Sequence, residues 1–132
     1  MRTTSSVIIL DTHVAVWWST GSGRLSTAAA AAVARAERLG VPAIVFWEVA
    51  LLVRKRKLDL GMPVLEWAGR VLSIPRIVGL PLTPDIALLA DGLDMHADPV
   101  DRFIVASAMH ARVPLVTKDS LIRALKIVVT LW

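Results

Sequence analysis

Four carboxylates define the chemistry open to this chain. Asp11, Glu48, Asp101 and Asp119 are separated by 37, 53 and 18 residues. Asp11 ends the apolar run Val7-Ile8-Ile9-Leu10, Glu48 follows Ala43-Ile44-Val45-Phe46-Trp47, and Asp119 closes Leu115-Val116-Thr117-Lys118. Asp101 stands in Asp98-Pro99-Val100-Asp101-Arg102, at the head of an apolar helix. In an open α/β sheet, strand C-termini and helix N-termini share one edge, and ligands bind there. Acids gathered at that edge repel one another until a cation arrives, so the set is a candidate metal site. The chain has no cysteine and three histidines, which excludes disulfides and thiolate sites and favours hard, oxygen-preferring cations.

Each acid also has a plainer reading. Asp11 could cap a helix beginning near His13, and Asp119, followed by Ser120, could cap the next turn. Glu48 could be an acid favoured by the helix dipole, although it shares a helix face with Leu51, Leu52 and Lys55, and a partly buried carboxylate needs a partner or a cation. Asp98 and Asp101 are three apart across a helix start, so Asp98 can cap while Asp101 faces the site. Asp119 is expected to reach a metal through water. Arg102, beside Asp101, could hold a phosphate. His13, His96 and His110 lack metal-binding spacing and are read as structural or as hydrogen-bond partners, none as a ligand. Thr12 and Thr117 could orient a carboxylate, with local backbone bonding as the alternative. Five Trp without Tyr could suggest base stacking, but Trp17, Trp18, Trp47 and Trp67 fall in apolar helical patterns, for which core packing is the default.

The elements that must position these residues alternate. Val7–Leu10 reads as a buried strand of a parallel sheet, followed by a helix over 13–18 and a loop over 19–23. Ser26 caps an alanine-rich helix expected to end at Gly40. Residues 43–45 are expected to form a strand and 46–57 a helix. Pro63 opens a helix to about Ile74. Residues 77–82 read as a strand and 84–90 as a helix. Asp98 and Pro99 start a helix to Arg112. A strand over 114–117, a turn or two over 120–125 and an edge strand over 127–131 complete the chain. This rhythm predicts one α/β domain over 1–132, with a small, mostly parallel sheet between helical layers.

With 15 Lys plus Arg against 11 Asp plus Glu, the net charge is +4. If the acids converge, the remaining surface is more basic than the total suggests, which suits a polyanionic substrate. The run Arg54-Lys55-Arg56-Lys57 is read as a solvated helix end, where cations complement the dipole. The apolar fraction of 55% and mean hydropathy of +0.62 point to a dimer or a bound partner. No stretch reaches the about 20 apolar residues of a membrane span. The apolar run after Met1 is too short for an export signal, so a cytoplasmic protein is expected.

Taken in order, Leu10-Asp11-Thr12-His13-Val14, Phe46-Trp47-Glu48-Val49-Ala50, Asp98-Pro99-Val100-Asp101-Arg102-Phe103-Ile104-Val105-Ala106-Ser107-Ala108 and Leu115-Val116-Thr117-Lys118-Asp119 resemble the motifs of PIN-domain ribonucleases, specifically the VapC branch of toxin–antitoxin toxins. The resemblance spans nearly the whole chain. It implies a PIN-like (Rossmann-like) α/β/α sandwich that cuts RNA with magnesium, or manganese, held by acids. By position, Asp11 and Asp101 become the principal metal ligands, Glu48 completes the pocket, Asp119 is the fourth acid and Asp98 an accessory one. A homodimer silenced by a small antitoxin is implied as well.

Two other readings compete. Receiver domains, which are metal-binding regulators, combine a strand-end acid cluster with magnesium and a late Lys such as Lys118. They place an acid pair at the first strand, where Leu10-Asp11-Thr12 has one acid. A PIN fold kept as a scaffold, with little or no cleavage, would retain the same acids.

Overall fold

The computed structural model describes residues 6–132; the N-terminal reading rests in part on residues 1–5, outside that range. At the centre is a five-stranded sheet in the order β3-β2-β1-β4-β5, formed by β1 (Val7–Leu10), β2 (Arg38–Pro42), β3 (Ile77–Leu80), β4 (Leu115–Val116) and β5 (Thr130–Leu131). Every pairing is parallel. Parallel neighbours need crossovers, supplied here by α1 (Thr12–Ser19), α2 (Thr27–Arg35), α3 (Ala43–Arg54), α4 (Val64–Ser73), α5 (Pro84–Asp91), α6 (Pro99–Ala111) and α7 (Ser120–Ala124). The expected α/β/α architecture with a small parallel sheet is the one observed.

The core follows from this layering. Ile9, Leu10, Leu39, Val41 and Leu115 of the strands are fully buried, as are Val14, Val45, Val49, Ile104 and Val105 of the helices. Strands covered on both faces cannot alternate apolar with polar, so Val7 to Leu10 reads as a continuous apolar run. The chain passes from β1 outward to β3, then returns to the other side of β1 for β4. The reversal lies between β1 and β4, where an open α/β sheet leaves a crevice at its carboxyl ends.

One segment departs from expectation. The alanine-rich helix stops at Arg35, and Ala36 turns extended, with φ −67° and ψ 138°. The backbone N–H groups of Glu37 and Arg38 donate to Ser6 O, and β2 begins. Gly40 therefore lies inside the second strand and does not end a helix. A Cβ there would sit 3.0 Å from Leu80 Cδ1 and 3.1 Å from Ile9 Cγ1, so any side chain would force these two neighbours to give way, and glycine suits the close approach. Residues 43–45, expected as a strand, are instead the first turn of α3. Pro42, with φ −60°, ends the strand and presets helical entry. The β-branched pair Ile44-Val45 is overridden by this context. The strands expected over 77–82 and 127–131 shorten to β3 and β5, and β5 does stand at an edge.

Among the described residues, no helix is long and apolar enough to cross a membrane.

Candidate functional site

The four acids arrive at the sheet's carboxyl edge on separate elements. Asp11 directly follows β1, and Asp119 follows β4, its neighbour across the reversal. Asp101 stands in the first turn of α6. Glu48 lies mid-way along α3, farther into the helix than the expected boundary would have put it. The charges of Asp11 and Asp98 act on Glu48, and those of Asp98, Asp11 and Asp119 act on Asp101. The structure thus brings the sequence-predicted acids within electrostatic reach of one another.

For Asp11 and Asp119, and for Asp98 beside them, the capping role and the site position coexist. Asp11 caps α1, with Oδ1 accepting from the Thr12 N–H at 2.7 Å. Asp98 Oδ1 accepts from the Val100 N–H at 2.9 Å to cap α6. Asp119 Oδ1 accepts from the N–H groups of Leu121 and Ile122 at 2.8 and 3.1 Å to cap α7. One oxygen of Asp98 and one of Asp119 serve these caps, which leaves Oδ2 outside each.

Asp11 is the most constrained. It is 9% exposed, and the Thr117 hydroxyl donates to its Oδ2 at 2.6 Å. The same hydroxyl accepts from the Asp119 N–H at 3.0 Å. Thr117 therefore ties two of the acids together, beyond the local backbone bonding expected of it. The sequence signal was a hydroxyl at a strand end next to an acid, Asp119.

His96, not assigned as a ligand, is a hydrogen-bond partner, though the sequence does not show whose. Its Nε2 lies 2.7 Å from Asp101 Oδ2, and no periodic spacing links a loop residue to a helix residue five positions on.

Burial pushes the carboxyls of Asp11, Glu48 and Asp101 upward. Desolvation raises Asp11 most, against hydrogen bonds from Thr117 and Thr12 that favour the charged form. Desolvation likewise raises Glu48, with the negative charges of Asp11 and Asp98 adding to it. The Thr12 hydroxyl partly offsets that rise, although it has no hydrogen-bond partner of normal geometry despite full burial. Asp101 is pushed up to about 6, first by desolvation, then against the His96 hydrogen bond by its acidic neighbours.

The pocket's carboxylates and hydroxyls, with His96 held against Asp101, give it an oxygen-rich lining, excess negative charge and an orphaned buried hydroxyl, which suits a hard divalent cation. Among the described residues, no three His, Asp or Glu side chains already form a metal cage. Drawing Asp11, Glu48, Asp101 and Asp119 onto a cation, with Asp98 beside them, would therefore involve side-chain movement.

Arg102 does not offer the phosphate contact expected of it. Its Nε donates to His96 O at 3.1 Å, its Nη1 to Ala90 O at 2.9 Å and Leu93 O at 3.0 Å, and its Nη2 to Met95 O at 2.9 Å. The planar fork is occupied in pinning the loop that carries His96.

The tryptophans also divide. Trp67 is 2% exposed and its indole N–H donates to Ser19 Oγ at 3.0 Å, while Trp47 is 55% exposed. Trp47 lies with Ile44, Leu51 and Phe103 in a groove of about 530 Å³ that Glu48 and Asp98 also line.

The sequence matches the family described as PIN domain over residues 8–127. Ribonuclease VapC22 of Mycobacterium tuberculosis is 40% identical over 121 residues, covering 90% of this chain and 92% of that protein. Among solved structures, VapBC2 from Rickettsia felis, bound to a DNA fragment from its promoter, superposes with a TM-score of 0.66 at 14% identity, over 94% of this chain and 96% of that one. VapC20 of Mycobacterium tuberculosis, described as a toxin cleaving the sarcin–ricin loop, gives 0.63 at 18% identity, over 90% and 95%. At such identities the structural likeness speaks for the fold alone.

Proposed function

Because the chain belongs to the PIN domain family, with the match running over residues 8–127, we propose that residues 1–132 act as one metal-dependent endoribonuclease domain, the toxin of a toxin–antitoxin pair. The observation that carries this reading is the gathering of Asp11, Glu48 and Asp101, with Asp119 beside them, at the carboxyl edge of the sheet, where burial and neighbouring negative charge raise the first three. The 40% identity to a ribonuclease of the VapC group supports RNA as the substrate. A cytoplasmic setting and a homodimer belong to the same proposal, the latter supported by exposed Leu82 and Leu88 around α5.

Asp11 and Asp101 would be the principal ligands of magnesium or manganese, with Glu48 completing the pocket, Asp119 acting through water and Asp98 beside them. A cation held there would supply Lewis-acid stabilisation of the charge that develops at the scissile phosphate and make water a better nucleophile. The chain's own part is preorganisation. Thr117 and the Thr12 N–H hold both oxygens of Asp11 in place before substrate arrives, and His96 orients Asp101. Positions fixed in this way need little rearrangement at the moment of reaction.

The groove beside Glu48 fits the antitoxin. Its apolar walls, from Ile44, Trp47, Leu51 and Phe103, end at the carboxylates of Glu48 and Asp98. An amphipathic helix laid there could extend an Arg or Lys to the acids in place of the cation. VapBC2 and a toxin–antitoxin complex from Klebsiella pneumoniae, both solved as assemblies, support such a partner.

Purified protein incubated with structured RNA should cleave it with magnesium or manganese, stop in excess chelator, and recover on add-back of either ion but not zinc. Undiminished cleavage in chelator would reject the metal mechanism.

A further inference from the structure

A phosphodiester strand entering this pocket meets carboxylates, and Arg102, the cation that the sequence suggested for it, is engaged elsewhere. Arg102 is spent on backbone carbonyls. The Arg54 to Lys57 run starts at the C-terminal end of α3, roughly 9 Å farther along the axis than Glu48 at about 1.5 Å per residue.

The opposite flank is different. Trp17, half-buried on α1, has its ring centroid 5.6 Å from that of His13 and 6.1 Å from that of Trp132. Lys118 Nζ stands 5.8 Å and the Arg24 guanidinium carbon 5.9 Å from the same indole centroid. Both cations are exposed, and they come from distant segments, the loop after α1 and the residue before Asp119. His13, Trp17, Lys118 and Asp119 line one open hollow of about 460 Å³. A cation over an indole gains about 0.5–1 kcal/mol at an exposed site. That is enough to narrow the sweep of a long side chain without removing its charge from solvent.

We propose that Lys118 and Arg24, gathered over Trp17, form a phosphate-binding lip that takes the single-stranded RNA backbone flanking the cleaved bond and leads it past Asp119 to the acids. This inference rests on the ribonuclease reading above. It assigns Trp17 a positioning role: the indole holds two cations against a cluster that would otherwise repel the substrate.

The test uses the Asp101→Asn protein, which should keep RNA uncut, and a fluorescein-labelled single-stranded oligoribonucleotide, with anisotropy read across a salt series in magnesium. Lys118→Ala and Arg24→Ala should each weaken binding by about three- to tenfold and lower the salt slope by about 0.7. Lys118→Arg should restore both affinity and slope. Trp17→Leu should approach the double cation variant, whereas Trp17→Phe, which keeps an aromatic face, should lose less. If Trp17→Leu does not fold, the two cation variants, both at exposed positions, decide the matter. Unchanged affinity and slope in both, with the parent still binding, would overturn the lip and leave the ribonuclease reading standing. A parent that binds no RNA, together with wild-type protein that cleaves none, would overturn both.

Discussion

At the scale of single residues, Asp101 is the cleanest probe of the site, because it neither caps a helix nor receives the Thr117 hydroxyl. Asp101→Asn should lower RNA cleavage by at least about a hundredfold, as expected when a metal ligand is lost. Because the substitution removes a desolvated charge repelled by Asp98 and Asp11, the metal-free variant should be at least as stable as wild type in urea. Cleavage at the wild-type rate would reject its assignment. The same carboxyl sets a pH dependence. Its pKa is about 6 in the folded chain against an ordinary 3.8, so the fold binds its proton more tightly than the unfolded chain does. The stability this proton contributes is fully present below about pH 4 and lost as pH rises through 6. Denaturation of chelated protein from pH 4 to 7 should show that decline, and Asp101→Asn should make it shallower, the raised carboxyls of Asp11 and Glu48 supplying the remainder. Metal binding runs the other way, weakening as pH falls through 6, because ligand and proton compete for one carboxylate; isothermal titration with manganese would show it.

At the scale of elements, what was legible in the sequence was whatever local chemistry decides. Asp98 followed by Pro99 announces the start of α6 in any context, since the side chain caps and the ring sits where no N–H is needed. The acids following β1 and β4 were placed correctly at the sheet edge for the same reason. Gly40 and Ala43 to Val45 were misread because their state is decided by distant partners: the pairing of β2 between β1 and β3, and the space Gly40 leaves for Ile9 and Leu80. Contacts such as His96 with Asp101, or the Arg102 fork with its loop carbonyls, depend on how a loop folds back, and no period encodes that. Gly40→Val should therefore cost about 1–3 kcal/mol by overpacking, measurable as a lower urea midpoint with an unchanged slope. A midpoint equal to wild type would mean that the strands can separate without penalty.

For the whole molecule, acidic edge and apolar groove are adjacent, so one partner can cover both. Expressed alone, the wild-type chain should arrest growth. The Asp101→Asn form should be harmless yet still bind the antitoxin in a pull-down, since the groove walls are apolar and intact. Loss of antitoxin binding in Trp47→Ser, whose side chain is already exposed, would locate the contact; retained binding would move it elsewhere.

One of the sheet's two margins also limits how copies of this chain can meet. β5 is two residues long and stands at the edge, close to Arg123 and Lys126, which share a hollow with Val129 and Thr130. Short edge strands flanked by cations resist pairing with a second strand. Two copies joined margin to margin would bring four positive side chains together for two ladder residues each. Continuous sheets joined from one protomer to the next through β5 are thereby disfavoured, which leaves β3 and the helical faces as the surfaces open to self-association.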